Sequence, residues 1–208
     1  GSILISAPQV DGAGTLNVNG GPTGHNRRAG GGGRIAIHCH NDSFVGTATA
    51  YGGGGDAGSG TVYYDCGQDA RKDLLIIDNG DTSSMPLRPT RLLGEKQTLY
   101  QLNTLSVKRK GVFGFASEGS LSDGNEVLLR VNDVIGDSSG KVIVRNKHHM
   151  LVVGRPTNVL TSDDVRMEID SSVANTIEVV SRVQSLPSSV RGDAVDWQID
   201  EGATLSLT

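Results

Sequence analysis

Apolar and polar residues alternate in short runs along most of the chain. Ile35, Ile37 and Cys39 share one face of such a run, and Val62, Tyr64 and Cys66 share one face of another. Leu16 and Val18, Ala48 and Ala50, and Leu75 and Ile77 alternate in the same way. In an extended chain successive side chains point to opposite faces, so each run predicts a β-strand with a single apolar face.

The runs repeat. A slide of 32 residues places Ile3-Leu4-Ile5 on Ile35-Ala36-Ile37, and Gly14-Thr15-Leu16-Asn17-Val18-Asn19-Gly20-Gly21 on Gly46-Thr47-Ala48-Thr49-Ala50-Tyr51-Gly52-Gly53, without a gap. A further slide of 27 places Ile35-Ala36-Ile37 on Val62-Tyr63-Tyr64, and Thr47-Ala48-Thr49-Ala50 on Leu74-Leu75-Ile76-Ile77. Each copy thus holds two strands and a glycine-rich return. Such a pair cannot bury its apolar face alone, but stacked copies bury it between the two strands of every coil. The expected fold is all-β, a right-handed parallel β-helix or β-solenoid. The glycine runs Gly30 to Gly33, Gly52 to Gly55 and Gly58 to Gly60 suit corners with positive φ and close backbone approach.

Past residue 80 the pattern loosens. Leu105 and Val107 pair with Phe113 and Phe115, Val142 and Val144 with Met150 and Val152, and Trp197 and Ile199 with Leu205 and Leu207. Turn signals such as Ser122-Asp123-Gly124-Asn125 and Gly136-Asp137-Ser138-Ser139-Gly140 separate them. These predict wider coils of three strands. Residues 173–186 also fit an amphipathic helix through Val173, Ile177, Val180 and Leu186, although their β-branched content favours strand. Pro86 and Pro89 mark a join. The expected division is tight glycine-rich coils over 1–84, an insertion over 85–97 and wider coils over 98–208, in one continuous solenoid. Both ends read as uncapped strands, so a fragment of a longer chain, or end-to-end stacking, is expected.

Composition narrows the classes. Of 208 residues, 29 are glycine and only 4% are aromatic, so the core is built from aliphatic side chains. A net charge of −4 argues against a nucleic-acid partner, which requires a basic face. Apolar runs such as Leu74-Leu75-Ile76-Ile77 are too short to cross a bilayer, so no membrane insertion is expected. No secretory leader is read in the sequence.

The run Gly30-Gly31-Gly32-Gly33-Arg34-Ile35-Ala36-Ile37, followed by Phe44-Val45-Gly46, Ala50-Tyr51-Gly52-Gly53 and Gly58-Ser59-Gly60-Thr61-Val62-Tyr63, resembles the glycine-rich β-helix repeats of very large secreted and cell-surface proteins. The likeness is strong over residues 1–80 and weak beyond. It implies a structural, adhesive or filament-forming role outside the cell, and such repeats carry no shared catalytic motif.

Candidate chemistry is sparse. Cys39 and Cys66 fall on neighbouring coils, about 4.8 Å apart at strand spacing, which suits either a disulfide or two stacked thiols. An extracellular location favours the disulfide. His38 and His40 flank Cys39 on the opposite face and His25 lies in a nearby loop, so no metal site is expected. Asn41-Asp42-Ser43 is an N-glycosylation acceptor. Arg191-Gly192-Asp193, after the loop-forming Pro187-Ser188-Ser189, is an integrin-type tripeptide of common residues. Gly52 to Asp56 departs from the calcium nonapeptide spacing, and Asp78-Asn79-Gly80-Asp81 reads as a turn. No phosphate loop, nucleophile elbow or zinc-protease motif occurs, and no cofactor is expected.

The leading expectation is a non-catalytic extracellular solenoid: a filament subunit, spacer or adhesin stalk. Its partners would be further repeats or neighbouring subunits end to end, with glycans or cell-surface proteins as further candidates. The alternatives are a carbohydrate-active β-helix enzyme, which needs carboxylates clustered on one outward face, and a glycan- or protein-binding module.

Overall fold

In the computed structural model the described residues are 1–22, 28–67, 71–82, 88–92, 99–115, 127–137, 139–144, 149–153, 165–169, 195–196 and 206–207. They contain no helix, and their strands form parallel sheets stacked coil on coil, a β-solenoid of about 3 turns. The expected all-β solenoid is therefore the observed fold. The helix considered for 173–186 lies outside the described residues.

The first coil runs through β1 (Ser2–Gly12) and β2 (Thr15–Asn17), and the second through β3 (Arg34–Phe44) and β4 (Thr47–Thr49). β1 pairs with β3 in parallel, Ile3 against Ile35 and Ile5 against Ile37, and β2 pairs with β4, Leu16 against Ala48. These are the partners set by the 32-residue slide. β5 (Thr61–Cys66) follows β3 in parallel, Ile35 against Val62 and Cys39 against Cys66. Ile35, Ile37, Val62, Tyr64 and Cys66 are buried and meet Val18 and Ala50 from the opposite side of the coil. Each aliphatic side chain hidden this way contributes about 1.5–3 kcal/mol.

The glycine runs bring backbone close to backbone as expected, but only part of them turns through positive φ. Positive φ is confined there to Gly54 and Gly55. The remaining glycines let outgoing and returning segments hydrogen-bond directly across the coil. Gly33 N–H donates to Val18 O at 2.8 Å and Gly60 N–H to Ala50 O at 2.6 Å, while Gly32 N–H donates to Gly58 O at 3.1 Å between stacked coils. A Cβ on Gly60 would stand 1.7 Å from Gly33 O, so no side chain fits. The coil therefore tapers from an aliphatic core to bare backbone.

One element departs from the repeat. β6 (Leu74–Asp78), aligned by sequence with β4, does not join the β2–β4 sheet. It turns back on β5 as an antiparallel partner, Val62 against Ile76 and Tyr64 against Leu74. β8 (Leu99–Lys108) and β10 (Val127–Gly136) then follow β6 in parallel. β12 (His149–Val153) and β15 (Ser206–Leu207) extend the same sheet. A second parallel sheet collects β7 (Thr90–Leu92), β9 (Val112–Phe115), β11 (Gly140–Val144), β13 (Val165–Ile169) and β14 (Val195–Asp196).

The reversal also moves the core. Leu74 and Ile76 share a face with Tyr64 and Val62 and pack on the first core. The other face of β6 carries the buried Leu75 and Ile77, which stand beside Leu105 and Val107 of β8. Phe113, Leu129, Val131, Val134 and Val142 are buried in this later part. Between β8 and β10, Asn132 Nδ2 donates to Asn103 Oδ1 at 2.8 Å across the stack. Changing strand direction and core face together preserves the hand of winding, because each change alone would invert it.

Candidate functional site

The hairpin joining β5 to β6 gathers most of the polar chemistry described. β1, β3 and β5 are adjacent and in register, so Ser6, His38 and Asp65 stand in a row on three successive rungs. His38 Nδ1 lies 3.5 Å from Asp65 Oδ2, and the ring meets Tyr63 edge-on at 5.8 Å between centroids. Lys72, from the hairpin, pairs with Asp65 through Nζ and Oδ1. Ser6, His38, His40, Asp65 and Lys72 line an open depression of about 550 Å³. The hydrogen bond from Lys72 holds the Asp65 carboxyl below its ordinary range, and the same bond raises the Lys72 ammonium. Tyr63 donates to Asp73 Oδ1 at 3.0 Å, and burial followed by that bond raises its phenol.

A serine, a histidine and an aspartate in a row invite comparison with an acyl-transfer triad. Ser6 and His38 are not hydrogen-bonded to each other. Asp65 serves Lys72 as well as His38, and both His38 and Lys72 are more than a third exposed. A triad aspartate is buried behind its histidine, whereas the Asp65 side chain is 31% exposed.

Beneath this surface Cys39 and Cys66 form a disulfide between adjacent coils, with Cα atoms 4.4 Å apart. Asp42 lies beside them, its side chain 3% exposed, and accepts from Arg71 Nη1 at 2.9 Å. The Arg71 guanidinium also covers the Tyr64 ring at 4.9 Å. Cys39, Asp42 and Cys66 have ligand atoms within 4.8 Å of one another, the one such grouping among the described residues. The disulfide and Arg71 occupy those atoms. His38 and His40 stand apart from it, and His25 lies outside the described residues.

The turn after β6 forms a second cluster. Asp78 Oδ1 accepts from Gly80 N–H at 2.9 Å, and Gly80 and Asp81 have φ of 59° and 58°, so the expected turn is present. Arg109, in the turn after β8, donates through Nε to Asp78 Oδ1 at 2.9 Å and through Nη2 to Tyr51 Oη at 2.6 Å. The bond to Asp78 raises the Arg109 guanidinium above its ordinary value. Asn79 Oδ1 accepts from Gly52 N–H at 2.8 Å. This cluster ties together the segments that follow β4, β6 and β8. The sequence signals only a basic turn, Lys108-Arg109-Lys110, and not its target 31 residues away.

Asn41 and Ser43 are exposed on β3, while Asp42 between them points inward. Arg191, Gly192 and Asp193 lie outside the described residues. Asp56, from the Gly52 to Asp56 run, faces Arg88 at 3.6 Å. No described helix is long and apolar enough to cross a membrane. Comparison with protein-family models, curated proteins and solved structures found no match.

Proposed function

We propose that the chain is a non-catalytic structural solenoid of an extracellular protein, working as a spacer, filament subunit or adhesin stalk. One observation carries this reading. Three carboxylates of the coils are spent on cations of the same chain, tying rung to rung: Asp42 to Arg71, Asp65 to Lys72 and Asp78 to Arg109. A glycosidase instead holds two carboxylates facing each other across a substrate cleft. The cross-coil disulfide supports an oxidising compartment. On this reading its partners are neighbouring coils or subunits end to end, and glycans or cell-surface proteins along its sides.

The row Ser6, His38 and Asp65 favours a second reading, a surface hydrolase. Both are tested by assaying the purified chain on nitrophenyl esters and a polysaccharide panel beside His38→Ala and Asp65→Asn. The expected result is no turnover above the variants. Turnover that both substitutions abolish would replace the structural reading with the hydrolytic one. Intact mass of secreted material before and after reduction and deglycosylation tests the compartment. An oxidised Cys39–Cys66 pair and a glycan lost in Ser43→Ala are expected. Two free thiols in native material would contradict an extracellular site.

A further inference from the structure

Two glycines of the second coil owe their identity to the first. A Cβ on Gly46 would stand 2.0 Å from Gly14 O, and one on Gly53 1.8 Å from Gly21 O. Each obstacle is backbone, which cannot swing aside. The obstructing residues, one repeat earlier, are themselves glycine. Yet a Cβ on Gly14 or Gly21 would meet nothing within 4 Å. Neither has positive φ, so backbone conformation does not call for glycine there either. Among the described residues nothing seated on the first coil accounts for these two residues, while the contact made one rung later accounts for their counterparts.

The rest of that edge agrees. β1 ends the eight-stranded sheet, with one neighbour only. In the second coil the amides of Val45 and Thr47 donate to Gly12 O and Gly14 O at 2.8 and 3.0 Å. The same register assigns the amides of Ala13 and Thr15 to the open edge. Ile35 and Ile37 are 1% and 0% exposed, whereas Ile3 and Ile5 in the same positions are only partly buried, and Leu4 is 72% exposed.

We infer that the open edge of the first coil is a docking surface for one further glycine-rich coil of the same type, running parallel to β1, whose carbonyls seat on Gly14 and Gly21. Its source is a coil in the 32-residue register of this repeat. The assignment rests on coil geometry alone and is independent of whether the chain catalyses a reaction.

The test adds an in-register second copy of residues 1–32 ahead of residue 1 and compares this chain with the original. The extension is expected to slow amide exchange in β1 at least tenfold and to raise the urea midpoint. Gly14→Ala with Gly21→Ala in the original coil is expected to leave the unextended chain unchanged and to remove the gain in the extended one. Gly46→Ala should weaken both and shows that the assay senses such a clash. An added coil that stays protease-sensitive, with β1 exchanging as before, overturns the inference. So does a double substitution equally harmful in both chains. Concentration-dependent protection of β1 in the unextended chain would give the edge to a second copy and also overturn it.

Discussion

Val62 and Ile76 face each other across an antiparallel pair in a sheet whose other described pairings are parallel. That pair divides the molecule. On one side of it the core is Ile35, Ile37 and Tyr64, and on the other it is Ile77, Leu105 and Val107. Ile37→Ala and Ile77→Ala should each cost about 2–5 kcal/mol, as buried aliphatic truncations do. Their effects should separate in space. Ile37→Ala is expected to speed amide exchange in β1, β3 and β5, and Ile77→Ala in β8 and β10. Equal loss of protection in both sets from either variant would show one cooperative core instead.

That reversal also marks how far the sequence could be read. The partners Ile3 with Ile35 and Ile35 with Val62 are legible, because side-chain alternation and the glycine spacing repeat together. Leu74 to Ile77 alternates just as well, and alternation is blind to strand direction. That run therefore matches Thr47 to Ala50 in pattern but not in space. Its nearly continuous apolar character, Leu74-Leu75-Ile76-Ile77, held the missed signal: a strand covered on both faces has no polar side. The row Ser6, His38 and Asp65 was recoverable from the same two slides, since each rung places the next residue beside it. The bond from Arg109 to Asp78 was not, because it joins two turns outside any register.

The disulfide between Cys39 and Cys66 closes a separation of 27 residues. Loop-closure entropy for that length corresponds to about 3.5 kcal/mol, within the usual spread of measured disulfides. Replacing both by Ala should lower the urea midpoint accordingly without changing the strand signal in circular dichroism. Reducing the wild type should reproduce the double variant. A double variant as stable as the oxidised wild type would show that the stacked coils need no covalent staple.

Asp65 and Lys72 make stability depend on pH in two directions. The Asp65 carboxyl is depressed in the fold, so its contribution is complete above about pH 4, the ordinary carboxylate value, and fades as pH falls through the folded value. The Lys72 ammonium is raised, so its contribution is complete below about pH 10 and fades as pH climbs through its folded value. Both groups are partly exposed, which holds the pair to roughly 0.2–1 kcal/mol. The gap in urea midpoint between wild type and Lys72→Ala should be flat from about pH 5 to 9 and close at both extremes. A gap that persists below pH 3 would mean that Lys72 acts through its aliphatic stem and not its charge.

Arg109 combines a favourable contact with an unfavourable backbone. Its guanidinium holds Asp78, whose side chain is 10% exposed, and its own φ is 46°, a region costly for any residue with a Cβ. Removing the side chain leaves Asp78 with Lys108 at 3.7 Å and the Gly80 amide, so Arg109→Ala should cost about 1–3 kcal/mol. Arg109→Gly loses the same contact but releases the backbone, and should recover about 1 kcal/mol of that loss. Arg109→Lys keeps the charge without the fork that reaches Asp78 and Tyr51 together, and should fall between wild type and Ala. Chemical denaturation of the three variants checks the order. If Gly were no better than Ala, the turn at Arg109 would carry no conformational cost, and the ion pair alone would explain the residue.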